Sequence, residues 1–342
     1  MISPAPAVFG ALALLATTAR TPAEAAEVNV YTTREPGLIR PLLDAYTQRT
    51  GTKVNTVFVQ AGLAERVAAE GANSPADVLM VVDIGNLIDL VKRDLAQPIR
   101  SAALDAAVPP QWRDPAGNWY ALTLRARAVF VTKDRPGEAP RTYEDLADPR
   151  YRGRVCIRSG NHPYNTSLFA AMIAKHGAED TASYLTDLKA NLARRAAGGD
   201  REVARDILAG ICDVGISNTY YEGIMLSGRG GEEQKRWGEA VRVVLPTFKD
   251  GAGTHVNVSG AAVARNAPNR AEAVRLLEYL VTPEAQRLYA DLNFEHPVRP
   301  GVELNPIVQS FGPLKPDNTP LSEIAANRAE ASLLVDRLGF DR

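Results

Sequence analysis

The feature that most constrains this chain is a pair of long strand-like runs, Tyr120 to Thr132 and His255 to Ala264, set among much shorter apolar segments. Strands in globular domains usually run about five or six residues. A run of thirteen residues that carries Arg125 and Arg127 therefore predicts a strand crossing from one lobe to another. The second run is the natural place for the chain to cross back.

Around these runs, short β-branched segments alternate with helical patterns. Val28 to Thr32 alternates as a strand does, and Leu38, Leu42, Ala45 and Tyr46 follow Pro36-Gly37 at helical spacing. Gly51 closes that helix and Val54 to Val59 reads as a second strand, so the chain opens with a βαβ unit. Val78 to Val82 begins another, with Asp83 as N-cap and Ile84, Leu87, Ile88, Val91 and Leu95 on one helical face. A second α/β set has strands at Arg154 to Arg158, Asp213 to Ser217 and Val241 to Leu245, with helical segments at 166–175, 179–191 and 201–209. The expected fold is an α/β clamshell of two lobes joined by crossing strands. Lobe one is expected at 27–124 plus 257–304 and lobe two at 125–256 plus 305–342, the tail packing on lobe two.

Composition narrows the function classes. The 342 residues carry 39 lysines and arginines against 40 acidic residues, a balance without the basic field that nucleic acid or a membrane surface selects. Two cysteines and the scattered His162, His176, His255 and His296 lack zinc-site spacing. Val8 to Ala16 is an apolar run followed by Ala23-Glu24-Ala25, which reads as an export signal over residues 1–26. No other stretch approaches the roughly 20 apolar residues of a membrane span. A soluble, exported, periplasmic monomer is expected.

A clamshell places its ligand at strand carboxyl ends and helix starts, where unpaired N–H groups favour anionic oxygen. Three loops qualify: Thr32 to Gly37, Ser159 to Asn165, and Asn218 to Gly223. Tyr164, Tyr220 and Tyr221 fall in two of them. A phenol titrates near pH 10 in water, but a highly charged cation stabilises the phenolate, a hard oxygen donor suited to ferric iron. Packed wall tyrosines with wet hydroxyls are the alternative. Against it, two adjacent tyrosines at a strand-to-helix turn cannot both face a core.

With these residues in view, the chain resembles the periplasmic ferric-iron-binding proteins of bacterial ABC importers, the bacterial transferrins. The resemblance covers most of the chain after residue 26 and rests on Arg154-Val155-Cys156-Ile157-Arg158-Ser159 with Tyr164-Asn165, on Cys212 through Tyr221, and on Thr254 through Gly260. It implies a type II-like periplasmic-binding-protein clamshell in which Tyr220, Tyr221 and Tyr164 bind Fe(III), and an inner-membrane permease as partner. In the variety most resembled, the first-strand loop reads Tyr-Ser-Ser-Arg-His-Tyr, whereas this chain has Tyr31-Thr32-Thr33-Arg34-Glu35-Pro36. Proline cannot ligate. Glu35 is then either a replacement ligand or an exposed helix-start carboxylate, with water or a small anion completing the metal site.

Arg125 and Arg127, two apart on a strand, share one face. With Arg34 they are candidates to balance phenolate charge or fork onto a carbonate-like anion, an ordinary ion pair being the alternative. Cys156 and Cys212 each precede a candidate ligand tyrosine by eight residues, which predicts a disulfide if their strands are parallel neighbours; a pair of buried thiols is the other possibility. A hydrolase built on Ser159 and His162 is disfavoured, because no Gly-x-Ser-x-Gly elbow accompanies them. The remaining competitor is a binding protein for a small organic or phosphorylated anion.

Overall fold

The computed structural model describes residue 1 and residues 26–134 and 137–342; the expected export signal falls almost wholly outside the described residues. Three βα units open the fold. Strand β1 (Glu27–Thr32) leads into helix α1 (Pro36–Thr50), β2 (Lys53–Phe58) into α2 (Leu63–Glu70), and β3 (Val78–Val82) into α3 (Ile84–Lys92). Strand β3 is buried at Val78 to Val81, β2 at the edge of the sheet is only partly covered, and Ile39, Leu42, Leu43 and Tyr46 form the buried stripe of α1. Gly51, in the left-handed region at φ 75°, ends that helix as its position in the sequence predicts. Asp83 caps α3 through its side chain, which accepts from Gly85 N.

After β4 (Ala96–Gln97) and α4 (Ala102–Ala107) comes β5 (Tyr120–Thr132), the thirteen-residue strand, buried along its whole length. Beyond it lie β6 (Val155–Cys156), α5 (Pro163–Ala190), α6 (Asp200–Leu208), β7 (Val214–Asn218), α7 (Thr219–Leu226), α8 (Glu232–Glu239) and β8 (Val241–Val244). The second crossing strand, β9 (Val256–Ala264), is likewise buried throughout. The chain then runs through α9 (Arg270–Leu280), α10 (Pro283–Asn293), β10 (His296–Pro297), α11 (Pro306–Gln309) and α12 (Leu321–Arg337).

Strand order is β2-β1-β3-β9-β5-β7-β6, with β4 on β9 and both β8 and β10 on β5. The outer pairs β1–β2, β1–β3 and β6–β7 are parallel, as βα crossovers require, whereas β9 and β5 run antiparallel to their neighbours. Strand β5 changes partner part-way: Tyr120 to Ala126 pair with β9, and Arg127 to Val131 pair with β7. One continuous strand thus joins two lobes.

Some boundaries differ from expectation. The strand expected at Arg154 to Arg158 shrinks to Val155–Cys156; the helices expected at 166–175 and 179–191 are both present as the two halves of α5, separated at Gly177, where φ is 83°, and the first half starts earlier, at Pro163. The expected disulfide is present: Cys156 in β6 bonds Cys212, two residues before the parallel neighbour β7, with 5.9 Å between Cα atoms. Among the described residues no helix is long and apolar enough to cross a membrane.

Candidate functional site

Two helix starts bring the tyrosines together. At α5, Pro163 occupies the first turn, where its missing N–H is no loss, and His162 caps the helix by accepting the Tyr164 N–H at Nδ1, 3.3 Å away. Burial, and next the Arg158 guanidinium, push the His162 pKa down to about 3, leaving a neutral imidazole able to accept. Tyr164 therefore leaves the helix in its first turn. At α7, β7 passes directly into Thr219, so Tyr220 and Tyr221 also sit in a first turn.

The hydroxyls of Tyr164 and Tyr220 lie 3.3 Å apart, and the rings of Tyr220 and Tyr221 stack at 4.1 Å between centroids. Tyr220 is buried against Ile224, Phe294 and Val308, with Leu38 and Tyr221 at the edge of that cluster. The expectation that one of the adjacent pair would turn away from the core resolves into two stacked rings. Burial and the neighbouring phenols raise the Tyr220 pKa well above 10, while Arg125 and Arg34 pull against the rise. Tyr221 is raised too, first by burial and then by Tyr164 and Asp200.

Cations surround the phenols. The guanidinium carbons of Arg125, Arg158 and Arg127 stand 5.0, 5.2 and 5.9 Å from the Tyr164 ring centroid, and that of Arg34 stands 5.9 Å from the Tyr220 ring. Arg127 donates to Asp200 at 2.5 Å, Asn165 at 2.6 Å and Asn218 at 3.1 Å, and Arg158 shares Asp200. Asp200 is buried, which by itself would raise its pKa, yet Arg127 and Arg158 hold the carboxyl below the usual range. Arg34 donates to Ser259 and pairs with buried Glu295. Burial opposes its charge, but Glu295 and the phenols of Tyr220 and Tyr164 outweigh that and hold its pKa above the ordinary arginine value.

Arg125 is different: it donates to the Val258 carbonyl at 2.8 Å, while its Nε and Nη1 are buried without a partner. Three of these four guanidiniums share two carboxylates and Arg125 pairs with none, so the site is electropositive while the phenols are protonated.

A cavity of about 350 Å³ opens beside these groups, with Thr33, Gln60, Asn86 and Asp89 on one wall and His162, Pro163 and Tyr164 on the other. The structure thus gathers Tyr164, Tyr220, Tyr221, Arg34, Arg125 and Arg127 at one place. Glu35 is exposed at the N-cap of α1 and makes no capping bond. Ser159 and His162 do not meet as a catalytic pair, because Ser159 donates to Asp341 and His162 accepts from Tyr164 N. Three groups had escaped sequence reading. Asp200 and Glu295 come from segments remote from every ligand loop, and Arg201 lies 5.2 Å from the Tyr221 ring centroid. Only Asp200, at a helix start after Gly198-Gly199, had any local signal.

Residues 73–315 match the family described as "Bacterial extracellular solute-binding protein". The chain belongs to that family. This solute-binding protein is 40% identical over 324 residues to "Iron uptake protein A1" of Synechocystis sp., covering 94% of this chain and 89% of that protein. Among solved structures, the Bordetella ferric binding protein shares 60% identity at a TM-score of 0.86, covering 92% of this chain and 100% of that one. A Trichodesmium protein in complex with iron and citrate ligands shares 37% identity at a TM-score of 0.86, covering 92% of this chain and 100% of that one. The expected two-lobed α/β fold is the fold of these relatives.

Proposed function

We propose that this solute-binding protein captures Fe(III) in its cleft through the phenolates of Tyr164, Tyr220 and Tyr221 and delivers it to an inner-membrane ABC importer permease, working as a periplasmic monomer without enzymatic activity. The observation that carries the reading is the convergence of three phenols from two helix starts, with Tyr164 and Tyr220 oxygens 3.3 Å apart. Hard anionic oxygen is the donor type that ferric iron prefers. Three phenolates neutralise the ion, so the surplus positive charge of the guanidiniums remains. That surplus, with Arg125 holding unpartnered N–H groups, favours a small carbonate-like anion as a further iron ligand, supported by Arg34 and Arg125. Arg127 is committed to Asp200, Asn165 and Asn218 and supports the site from behind. In this reading exposed Glu35 stays outside the coordination sphere, and water or the anion takes that position.

The lobes in this reading are 27–124 with 257–304, and 125–256 with 305–342. The tyrosines belong to the second lobe and Arg34 to the first, so closure completes the site and the importer reads closure. The test is optical. Fe(III)-phenolate absorbs visible light, so the loaded protein is coloured. Replacing both Tyr220 and Tyr221 with Phe should bleach the band and weaken iron severely, while Glu35→Gln should change little. Unaltered colour and affinity in the double variant would refute the iron reading, and a colourless wild type that binds a small organic or phosphorylated anion would replace it.

A further inference from the structure

The loop that delivers Tyr164 to the site is held from outside the site. It runs from Ser159 to His162 between β6 and α5, and the turn that follows α12 closes over it. The Asp341 carboxylate accepts from the Ser159 hydroxyl, from Gly160 N at 2.6 Å and from Asn161 N at 3.4 Å. Nearby, the Asn161 amide donates to Asp336 at 2.7 Å and accepts from the Ser332 hydroxyl at 2.6 Å. Packing reinforces these bonds. A Cβ on Gly160 would stand 2.9 Å from Phe340 and 3.0 Å from Val335, so the loop backbone lies directly on the apolar side of this turn. Phe340 in turn meets Phe169 of α5 edge to face at 5.9 Å.

The anchor is tied at its other end to the opposite wall of the cleft. Helix α12 lies along α5 and also reaches α3, where Arg328 pairs with Asp83 at 3.3 Å. A Cβ on Gly85 would fall 1.4 Å from an Arg328 nitrogen, so that guanidinium rests on the bare backbone of the first turn of α3. Asp83 also accepts from Ser167 of α5 at 2.8 Å. Helix α12 is therefore fixed against both sides of the cleft, and its far end fixes the Tyr164 loop.

We propose that Asp341 is a positioning residue for Tyr164: it sets the Ser159–His162 loop so that the phenol leaves α5 at the height where its oxygen meets that of Tyr220. None of its partners is a candidate iron ligand, and its effect passes through backbone N–H groups three to four residues before Tyr164. Groups hydrogen-bonded to a metal ligand itself typically cost roughly tenfold to a hundredfold in metal affinity when lost, and Asp341, one step further out, belongs at the lower end of that range. The inference rests on the iron reading for its functional consequence, but its structural part stands without iron.

The experiment compares wild type, Asp341→Ala, Asp341→Asn and Asn161→Ala. Hydrogen exchange by mass spectrometry on the metal-free proteins follows peptides spanning 158–166; Fe(III) titration against citrate follows affinity and the visible band. In Asp341→Ala the expected result is faster exchange confined to that peptide, an unchanged melting temperature, a shifted phenolate band, and iron binding weaker by roughly tenfold. Asp341→Asn keeps one acceptor oxygen for Gly160 N and should fall between. Unchanged exchange, or faster exchange with band and affinity intact, overturns the proposal. If Asp341→Ala lowers global stability, Asp341→Asn, which keeps the size of the side chain, decides by the same readouts, with Asn161→Ala, which leaves the Asp341 bonds in place, as the control. A wild type without any iron band refutes the iron reading, and the exchange result then decides the loop's anchoring by itself.

Discussion

At the residue scale the site is governed by the cost of charging phenols. Free tyrosine loses its proton near pH 10, and burial, followed by the neighbouring phenols, pushes Tyr220 higher, with Tyr221 raised as well. In the metal-free protein at neutral pH these groups are protonated, so Fe(III) must displace a proton from each phenol it takes. Loading in weakly buffered solution should therefore release protons, and apparent iron affinity should climb steadily from pH 6 to pH 8. A pH-stat titration measures the release directly, and pH-independent affinity would contradict phenolate ligation. The tyrosines were legible because they are adjacent, or next to a proline, at the starts of helices. Asp200 and Glu295, which offset the charge of the arginines, were not: each reaches its partner across a long stretch of chain, and the helix start at Asp200 does not say which arginine it meets.

At the scale of elements, the disulfide does the joining. Cys156 ends β6 and Cys212 precedes β7, so one bond holds together the strands that feed α5 and α7 and hence all three tyrosines. Closing a loop of 56 residues lowers unfolded-chain entropy by roughly 4 kcal/mol in the chain-entropy model. The Cys156→Ser/Cys212→Ser protein should lose stability of that order in urea denaturation, with its midpoint insensitive to reductant, whereas the wild type should shift on reduction. The equal spacing of each cysteine from its tyrosine and the parallel pairing of β6 with β7 made this bond readable, although Cys156 stands opposite Gly215 and the bridge reaches back to Cys212 ahead of the strand. Helix α5 was harder. The break between 166–175 and 179–191 falls at Gly177, where the apolar periodicity places it, but the first turn that carries Tyr164 lies ahead of that periodicity.

Across the whole molecule, buried neutral histidines set the acid limit. Burial pushes the His255 pKa down to about 3, with Arg127 and Arg125 helping and Asp317 opposing, and pushes His296 down to about 4 with Glu295 opposing. An unfolded histidine titrates near 6.5, so below that pH the unfolded chain binds protons that the native state refuses. The stability these residues contribute is complete above about pH 6.5 and drains away as pH falls through the native values of about 4 and about 3. Urea midpoints should fall from pH 6.5 to pH 4, and His296→Gln should flatten the slope; an unchanged slope would place the acid sensitivity elsewhere. The two-lobed architecture was readable from the length of two strands, but the change of partner within β5 was not, since both halves read as the same apolar strand. That change falls between Ala126 and Arg127. Arg125 is bonded to the β9 carbonyl of Val258, and Arg127 is bonded to Asp200 and Asn218, yet both lie over the ring of Tyr164. A hinge pivoting there would draw one cation off the phenolate and leave the other in place. Mechanical work at the strand would thus reappear as basicity at the oxygen, and prying the jaws apart would itself invite the proton that evicts the metal.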